Sequence, residues 1–343
     1  MRSMTLTATS LFAGGGGDAE GLRQAGYDIV VAANHWRTAV RTLRANYPDT
    51  DCRIANLSET DFRTFPRTDI AWISPSCVWH ARSGGRKQPP VQVELRRADE
   101  GSVDRATAFA VIAASEVHRY EAVIVENVPE FMNWGGGVMY RWWLDGMTVQ
   151  GYKHQIVILD SAEIGPNPVA QNRKRVYIVF TRHGEVDLAP GPVERTPATA
   201  ILDPDPGELV TRRMYVTPQF EEITDIDVPH LVTYRRNAHA RRADRHQLAT
   251  VTAGGNHHAI ATRTADGIRH RLLNNRERAR AQGFPDDYVF HGRNVPVITN
   301  GKRRYIDEVR VQIGNAVSVN VARFLGQRVA QSLGATEALG VAA

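Results

Sequence analysis

The sequence predicts an α/β fold built around a largely parallel β-sheet. Over roughly the first 180 residues, short apolar runs alternate with amphipathic stretches, and strands that alternate with helices usually pair in parallel. A glycine-rich turn follows the first apolar run, and polar residues follow later ones. Because ligands in such sheets bind at the carboxyl ends of the strands, we expect the functional site at that edge.

Each predicted strand is a short apolar run, and each predicted helix carries apolar residues three or four positions apart. The predicted strands are Thr5–Leu11, Ile29–Ala33, Asp69–Ile73, Ala122–Glu126, His154–Leu159 and Arg175–Thr181. The predicted helices are Asp18–Ala25, Thr38–Asn46, Asp104–Arg119, Val138–Gly151, Asn275–Gln282 and Ala316–Ser332.

The chain has 343 residues and a formal net charge of +5, and this length suggests two domains or one large domain with an insert. Arginine accounts for 38 of the 42 basic residues. The planar fork of arginine fits phosphates and guanine edges. A GC-rich coding genome raises arginine content equally, so composition alone leaves nucleic-acid binding open.

Several classes of protein are excluded by composition. The two cysteines, Cys52 and Cys77, are too few for a disulfide scaffold or a multi-cysteine metal cluster, and no metal is expected. No apolar run approaches the ~18 residues of a membrane span, and the first residues lack a signal-peptide pattern. We therefore expect a soluble cytoplasmic protein with no membrane contact.

Charge is distributed unevenly in the carboxyl-terminal half. From His183 to His230 there are 3 arginines and 10 acidic residues, whereas from Leu231 to Arg271 there are 8 arginines and 2 acidic residues. The excess positive charge therefore lies in one segment. Such a segment is typical of nucleic-acid binding, although a solvated surface has the same composition.

Two motifs follow predicted strands directly. The first is Phe12–Gly17 (FAGGGG), whose glycines let the backbone approach a ligand and turn into a helix, although plain turns look alike. The second is Ser74–Cys77 (SPSC), which precedes a glycine- and arginine-rich loop. A cysteine at a strand end is placed like a nucleophile, although a lone cysteine is often a buried hydrophobe.

Two further motifs carry charge. Val123–Pro129 (VIVENVP) delivers Glu126 to the carboxyl edge of the sheet, where a carboxyl group is costly unless it has a partner or a function. In Gln171–Arg175 (QNRKR) the first, third and fifth residues of an entering strand would point to one side. An exposed basic strand is the alternative explanation.

In this order the four motifs resemble those of the C5-cytosine DNA methyltransferases. The resemblance continues through Arg271–Glu277, Arg280–Tyr288 (RAQGFPDDY) and Gln312–Val317 (QIGNAV), and it spans residues 7 to 325. It implies a Rossmann-like S-adenosylmethionine-dependent methyltransferase fold with a smaller inserted target recognition domain. The catalytic domain would be discontinuous, formed by residues 1–182 and 271–343, and the target recognition domain would span 183–270.

The resemblance also implies a covalent mechanism. Cys77 would add to carbon 6 of cytosine and so make carbon 5 nucleophilic, while Glu126 would hold or protonate ring nitrogen N3. Arg175 would bind the exocyclic oxygen of the base, and Arg173 would lie beside the nucleophile. The target base would be flipped out of the duplex to reach these groups.

The cofactor implied is S-adenosylmethionine, held between the glycine loop and the last motif. The residues so implied are Phe12, Gly14, Gly16, His35, Trp36, Asn56, Leu57, Ser76, Asn315 and Val317. His35 and Asn56 stand where the family has acids that bind the ribose and the adenine, and Ser76 stands where it has a proline. This less negative pocket leaves carboxy-S-adenosylmethionine open as a donor, although the intact glycine loop and Asn315 favour S-adenosylmethionine itself.

Double-stranded DNA is the implied partner, and the enzyme is expected to be a monomer. The DNA contacts implied are Arg82, Gln171, Arg235, Arg236, Arg241, Arg242, Thr250, Gly254 and Gly255. Two alternatives stay open, namely a tRNA cytosine methyltransferase of the same fold and a catalytically silent DNA-binding protein. The length of residues 183–270 favours DNA over tRNA, and the presence of Cys77 and Glu126 favours an active enzyme.

Overall fold

The computed structural model describes residues 5–76, 105–165, 168–299 and 301–335. A seven-stranded sheet lies at its centre, in the order β3-β2-β1-β4-β5-β7-β6. Its strands are β1 (Thr7–Leu11), β2 (Asp28–Asn34), β3 (Asp51–Ile54), β4 (Ile70–Ile73), β5 (Ala122–Asn127), β6 (Lys153–Asp160) and β7 (Lys174–Thr181). Only β7 runs against its neighbours within this sheet, pairing antiparallel with both β5 and β6. The predicted α/β fold is therefore confirmed.

Helices cover both faces of this sheet. In chain order the α-helices are α1 (Gly17–Gln24), α2 (Arg37–Asn46), α3 (Phe109–His118), α4 (Val138–Thr148), α5 (Thr217–Glu221), α6 (Asn275–Ala281), α7 (Glu308–Asn315) and α8 (Val319–Ser332). Alternate residues of β4 enter opposite cores, because successive strand side chains point to opposite faces. Trp72 packs with Leu22 of α1 and Leu325 of α8, whereas Ile73 packs with residues of α3 and α4.

The last helix belongs to the first sheet although it is far away in sequence. The hydroxyl of Tyr27 donates to the Gly326 carbonyl of α8 at 3.0 Å. The Tyr288 hydroxyl donates to the Gly15 carbonyl at 2.8 Å. Residues after 271 thus complete the layer that begins with α1.

A second, five-stranded sheet lies between residues 208 and 272 in the order β10-β9-β11-β12-β8. Its strands are β8 (Glu208–Leu209), β9 (Pro229–Thr233), β10 (Arg241–Arg242), β11 (His258–Thr264) and β12 (Gly267–Leu272). All its pairings are antiparallel. It has a small core of its own, in which Phe220 and Ile223 pack with Val232 of β9 and Ala259 of β11.

Besides β3, α5 and the strands of the second sheet, two further elements were not predicted. A two-stranded hairpin, β13 (Asn294–Thr299) and β14 (Lys302–Asp307), precedes α7. The predicted helix Ala316–Ser332 begins only at Val319, and α7 ends just before it. Asp307 caps the start of α7, because its carboxylate accepts hydrogen bonds from the Val309 and Arg310 amides. None of the described helices is long and apolar enough to cross a membrane.

Candidate functional site

The strand order reverses between β1 and β4, and the crevice at such a switch point is where open α/β sheets bind ligands. The carboxyl ends of β1, β2, β4 and β5 all meet there. Of the fourteen residues predicted for catalysis and cofactor binding, eight stand in the sequence at or just after the ends of these four strands. The switch point therefore defines the candidate site.

The glycine loop joins β1 to α1 and lies against the segment that follows α7. Phe12 has a φ of +58° and Gly14 a φ of +52°, so the chain turns through the left-handed region. A Cβ atom on Gly17 would overlap the backbone carbonyl of Val317. The sequence thus brings the first and last motifs into contact, as predicted, and only glycine permits that approach.

A buried carboxyl group that the sequence did not suggest lies beneath this loop. Asp18, in the first turn of α1, is 1% exposed, and its Oδ2 accepts a hydrogen bond of 2.5 Å from the Ser10 hydroxyl. Burial raises the pKa of Asp18 to about 7, against lowering by the Ser10 hydrogen bond, and the negative charge of Glu126 raises it further. At neutral pH the carboxyl is therefore partly protonated.

Asp18→Asn is expected to remove a pH dependence of stability. The folded chain holds the Asp18 proton up to about pH 7, whereas the unfolded chain releases it near its ordinary pKa of 3.8. Between these values the folded state binds more protons, so the wild-type free energy of unfolding falls as pH rises. Asparagine stays neutral and still accepts from Ser10. As the pH rises from about 5 to about 9, the free energy of unfolding of the variant should therefore gain a few kcal/mol relative to that of the wild type, as measured by urea unfolding.

The control for this experiment is Asp28→Asn, because Asp28 is an exposed carboxylate at the start of β2. Its pH profile should run parallel to that of the wild type. A parallel profile for Asp18→Asn as well would show that the Asp18 proton is not held in the folded state.

The residues after β2 and β3 present polar and aromatic groups beside the loop. His35 is exposed and Trp36 is half-buried at the start of α2, where the Trp36 amide donates to Asn34 Oδ1 at 2.9 Å. Asn56 is exposed, and its Oδ1 accepts only a long 3.3 Å bond from the Ser58 amide. Leu57 is buried in the core, so it can contribute backbone groups but little side-chain surface.

The loop after β4 is tied to β5 and to the segment before α3. The Ser76 amide donates to the Thr107 hydroxyl at 2.9 Å. Asn127, fully buried at the end of β5, donates to the Pro75 carbonyl at 3.3 Å. These bonds fix the chain immediately before Cys77, which lies, with Arg82, outside the described residues.

Glu126 and Arg175 form an ion pair at the end of β5. Glu126 Oε1 lies 3.1 Å from Arg175 Nε, and the two side chains are 10% and 14% exposed. The pair follows from strand pairing, because β5 and β7 are antiparallel neighbours in which Glu126 lies opposite Tyr177. Each group thus holds the other in place at the end of β5.

The strand pattern predicted that Gln171, Arg173 and Arg175 point to one side. Gln171 and Arg173 are buried, so they do not join Arg175 on one open face. Arg173 is 4% exposed, and its guanidinium donates to the Val251 carbonyl at 3.0 Å and to the Gly314 and Ala316 carbonyls at 3.1 and 3.0 Å. Asn315, between the last two carbonyls, is exposed and faces outward from this clamp. Arg173 thus positions the backbone of two segments, and its predicted place beside the Cys77 nucleophile stays a prediction, because Cys77 lies outside the described residues.

Gln171 is fully buried. It donates to the Ala281 carbonyl at 2.9 Å and accepts from the Val251 amide at 2.6 Å. Its predicted place on the DNA surface is therefore wrong. Burial of both side chains follows because the chain of residues 248–251 lies alongside residues 170–173, as shown by the Asn172 amide donating to the Leu248 carbonyl at 2.8 Å.

The other residues predicted to contact DNA differ in exposure and in whether their polar groups already have partners. Arg241 is exposed in β10, and Arg235 and Arg236 are exposed in the turn between β9 and β10. Arg242 instead pairs with Asp244 at 2.7 Å and Asp225 at 3.0 Å, so its guanidinium is already neutralised. Thr250 donates to the Asn172 carbonyl at 2.8 Å, so its hydroxyl hydrogen is used internally.

The segment around Gly254 and Gly255 rests on a residue that the sequence did not single out. Arg278 of α6 is 3% exposed and donates to the Asn256 side chain. Burial, aided by the charge of Arg310, lowers its pKa to about 10. Gly254 itself is exposed and open around its Cα. Arg278 was missed because a single arginine in a basic helix carries no sequence signal of burial.

No cluster of three or more His, Cys, Asp or Glu side chains able to hold a metal ion occurs among the described residues. The site instead offers a glycine loop, two partly buried rings at Phe12 and Trp36, and exposed polar groups at His35, Asn56 and Asn315. Rings and amides of this kind suit a neutral heterocycle with a polar tail.

Comparison with known proteins gives a consistent result. The sequence model of a family described as C-5 cytosine-specific DNA methylase matches residues 6–331. The Type II methyltransferase M.AgeI of Thalassovita gelatinovora is 27% identical over 183 residues, which are 51% of this chain and 39% of that protein. M.HgiDI of Herpetosiphon aurantiacus, also a Type II methyltransferase, is 29% identical over 92% of this chain and 91% of its own length.

A similar fold occurs in a solved structure of a DNA modification methyltransferase encoded within a prophage of E. coli. The TM-score is 0.67 at 15% sequence identity, and the match covers 96% of this chain and 99% of that one. At this identity the likeness shows the fold, which includes both the central sheet and the inserted second sheet.

Proposed function

Because the chain belongs to the C-5 cytosine-specific DNA methylase family, we propose that it transfers a methyl group from S-adenosylmethionine to carbon 5 of cytosine in double-stranded DNA. The observation that carries this proposal is the Glu126–Arg175 pair. It fixes a carboxylate at the end of β5, next to the strand-end loop that leads into Cys77.

In the proposed reaction the Cys77 thiolate adds to carbon 6 of a flipped-out cytosine, forming a carbon–sulfur bond. Glu126 holds ring nitrogen N3 and supplies the proton that stabilises the adduct as it forms. Carbon 5 then carries the electron pair that accepts the methyl group. Loss of the carbon-5 proton to a base breaks the carbon–sulfur bond and returns Cys77 as a thiolate, and Glu126 takes back the proton that it gave to N3. Arg175 holds the Glu126 carboxylate and is placed to bind the exocyclic oxygen.

The residues present fit S-adenosylmethionine, which supplies the electrophilic methyl group when it is bound. The glycine loop has no room for added side chains where it meets Val317, and Phe12 and Trp36 offer aromatic surface. His35 and Asn56 can hydrogen-bond hydroxyl and amine groups where the family has acids. Asn315 and Val317 would close the pocket from the last motif, because Arg173 holds the backbone on either side of Asn315.

We assign target recognition to the insert at residues 183–270 and catalysis to residues 1–182 and 271–343. The exposed arginines of β10 and of the turn before it, Arg235, Arg236 and Arg241, are available for phosphate or guanine contacts. The exposed backbone at Gly254 lies on the same insert, whereas a Cβ atom on Gly255 would meet the His257 ring. The Type II designation of the relatives supports a short recognition site.

The test is nucleoside mass spectrometry of plasmid DNA from cells that express the wild type, Cys77→Ala or Cys52→Ala. Cys52 is the matched control because it is the other cysteine and is buried in β3. We expect 5-methyldeoxycytidine with the wild type and with Cys52→Ala, and none with Cys77→Ala.

Other outcomes would replace the proposal. A heavier deoxycytidine derivative would show that the donor is a modified S-adenosylmethionine, such as the carboxy form. Modified cytidine in tRNA alone would show an RNA substrate. Unmodified DNA and RNA from cells with soluble wild-type protein would leave a DNA-binding protein without transferase activity.

A further inference from the structure

The hairpin of β13 and β14 carries an apolar and basic face that has no partner in the described chain. Pro296 pairs with Tyr305, and Ile298 pairs with Arg303. Paired residues of antiparallel strands point to the same side, so these four side chains share one face. All four are exposed, with Ile298 at 81% and Tyr305 at 57%.

The opposite face of the hairpin is better covered. Val295 and Val297 on β13 are half-buried there, whereas their partners on β14, Ile306 and Arg304, are exposed. The four-residue face of Pro296, Ile298, Arg303 and Tyr305, called the outer face below, therefore points away from the protein. An isolated two-stranded hairpin is only marginally stable in water, so this hairpin depends on its attachment to the rest of the protein for stability.

The base of the hairpin is firmly attached near the candidate cofactor residues. Asp307 accepts a hydrogen bond from the Asn275 side chain at 2.8 Å. Glu308 accepts from the Thr38 hydroxyl and the Arg293 amide, both at 3.0 Å. Thr38 lies in the first turn of α2, two residues after Trp36. The hairpin thus projects from the edge of the sheet that forms the candidate site.

The charge of this region is strongly positive. Between Arg293 and Arg310 there are five basic and two acidic residues, and both acids are engaged by the bonds at the base of the hairpin. On the outer face the Arg303 guanidinium lies 5.4 Å from the centre of the Tyr305 ring. A guanidinium beside an aromatic ring can meet a phosphate while the ring packs on a sugar or a base.

We propose that the outer face is a second DNA-binding surface, separate from the insert at residues 183–270. It binds the duplex beside the modified cytosine. A two-stranded ribbon has the width to enter a groove of DNA, and the positive charge complements the phosphate backbone. This inference rests on the proposed function, because it takes DNA as the substrate.

The geometry also predicts where on the DNA the contact lies. Helix α7 joins the hairpin to Asn315 over eight residues, a rise of about 12 Å. That distance corresponds to about three or four base pairs of B-form DNA. The hairpin should therefore contact flanking backbone a few base pairs from the flipped cytosine, and add affinity without base specificity.

The experiment compares Arg303→Ala and Tyr305→Ala with Arg304→Ala. Arg304 is the matched control because it is adjacent in sequence, is exposed and lies on the opposite face. Binding of each variant is measured by fluorescence anisotropy on a duplex of about one helical turn and on one of about two turns, over a range of salt concentrations, and circular dichroism checks folding.

On the long duplex we expect Arg303→Ala to bind about 3- to 10-fold more weakly than wild type, with a salt slope lower by about one unit. Tyr305→Ala should weaken binding with little change of slope, and Arg304→Ala should match the wild type. The short duplex extends about five base pairs on each side of a central target and so contains the predicted contact, and it should rank the variants in the same order. Equal affinities of Arg303→Ala and Arg304→Ala on the long duplex would overturn the proposal.

Two other results have a distinct meaning. Self-association of the wild type that Tyr305→Ala abolishes, with unchanged DNA affinity, would assign the outer face to a second copy and overturn the DNA contact. Absence of duplex binding by the wild type itself would instead contradict the proposed function, so the two failures can be told apart.

Discussion

Glu126→Gln is expected to lower kcat for methyl transfer by about 10²- to 10⁴-fold, the range associated with loss of a positioned acid or base. Glutamine has the same shape and still accepts a hydrogen bond from Arg175 across the 3.1 Å gap seen for the carboxylate. It carries neither the charge nor the proton that the Cys77 adduct requires at N3. The loss should therefore fall on the chemical step rather than on DNA binding.

Single-turnover methylation of a duplex substrate with labelled S-adenosylmethionine measures this step directly. Glu121→Gln is the matched control, because Glu121 lies at the other end of the same strand and pairs with His183 at the surface. The control should retain wild-type rates, and Glu126→Gln should still bind the duplex. A rate for Glu126→Gln within about threefold of the wild type would exclude Glu126 from proton transfer.

Arg173→Lys is expected to have the largest effect on stability, lowering the free energy of unfolding by about 2–4 kcal/mol. The Arg173 guanidinium reaches three carbonyl oxygens on two separate segments. A lysine ammonium is compact and cannot span that fork, so at least one buried carbonyl would lose its donor. Because two of those carbonyls flank Asn315, affinity for S-adenosylmethionine should fall as well.

Urea unfolding and calorimetric titration of S-adenosylmethionine test the two effects separately. Arg182→Lys is the control, since Arg182 is exposed and makes only a 3.4 Å bond to the Arg119 carbonyl. If Arg173→Lys unfolds at the same urea concentration as the wild type, the three hydrogen bonds of Arg173 contribute little to the free energy of unfolding. Lower stability with unchanged cofactor affinity would show that the Asn315 backbone is held by other contacts.

Six of the seven strands of the central sheet were predictable because most of them are nearly unbroken apolar runs, whereas β3, which reads Asp-Cys-Arg-Ile, was missed. Residues 122–127 are buried throughout β5, and a run of this kind leaves little ambiguity about period or ends. Glu126 was found for the same reason, since a carboxyl group that ends such a run stands out. The glycine loop and the last motif were found by resemblance, and the structure brings them together.

The second sheet was not predictable from pattern. Strand β12 reads Gly-Ile-Arg-His-Arg-Leu, with five of its six residues half-buried, so its apolar alternation is masked by arginines whose methylene stems cover the sheet. Gln171 was misplaced because alternation along a strand shows which residues share a side, but not what later packs on that side. Asp18 was missed because an acid in the first turn of a helix usually reads as a favourable surface charge.

The contact between residues 170–173 and 248–251 limits how this chain can acquire a new specificity. An exchange of the whole stretch 183–270 with a relative would replace one partner of this contact and leave the other unchanged. The incoming segment would have to present a backbone to Gln171 and Arg173 in the same register, or lose the donors and acceptors that these side chains supply. Inserts that keep the backbone conformation of Leu248–Val251 should therefore give a folded chimera. Inserts that differ there should fail to fold, even if they could bind DNA.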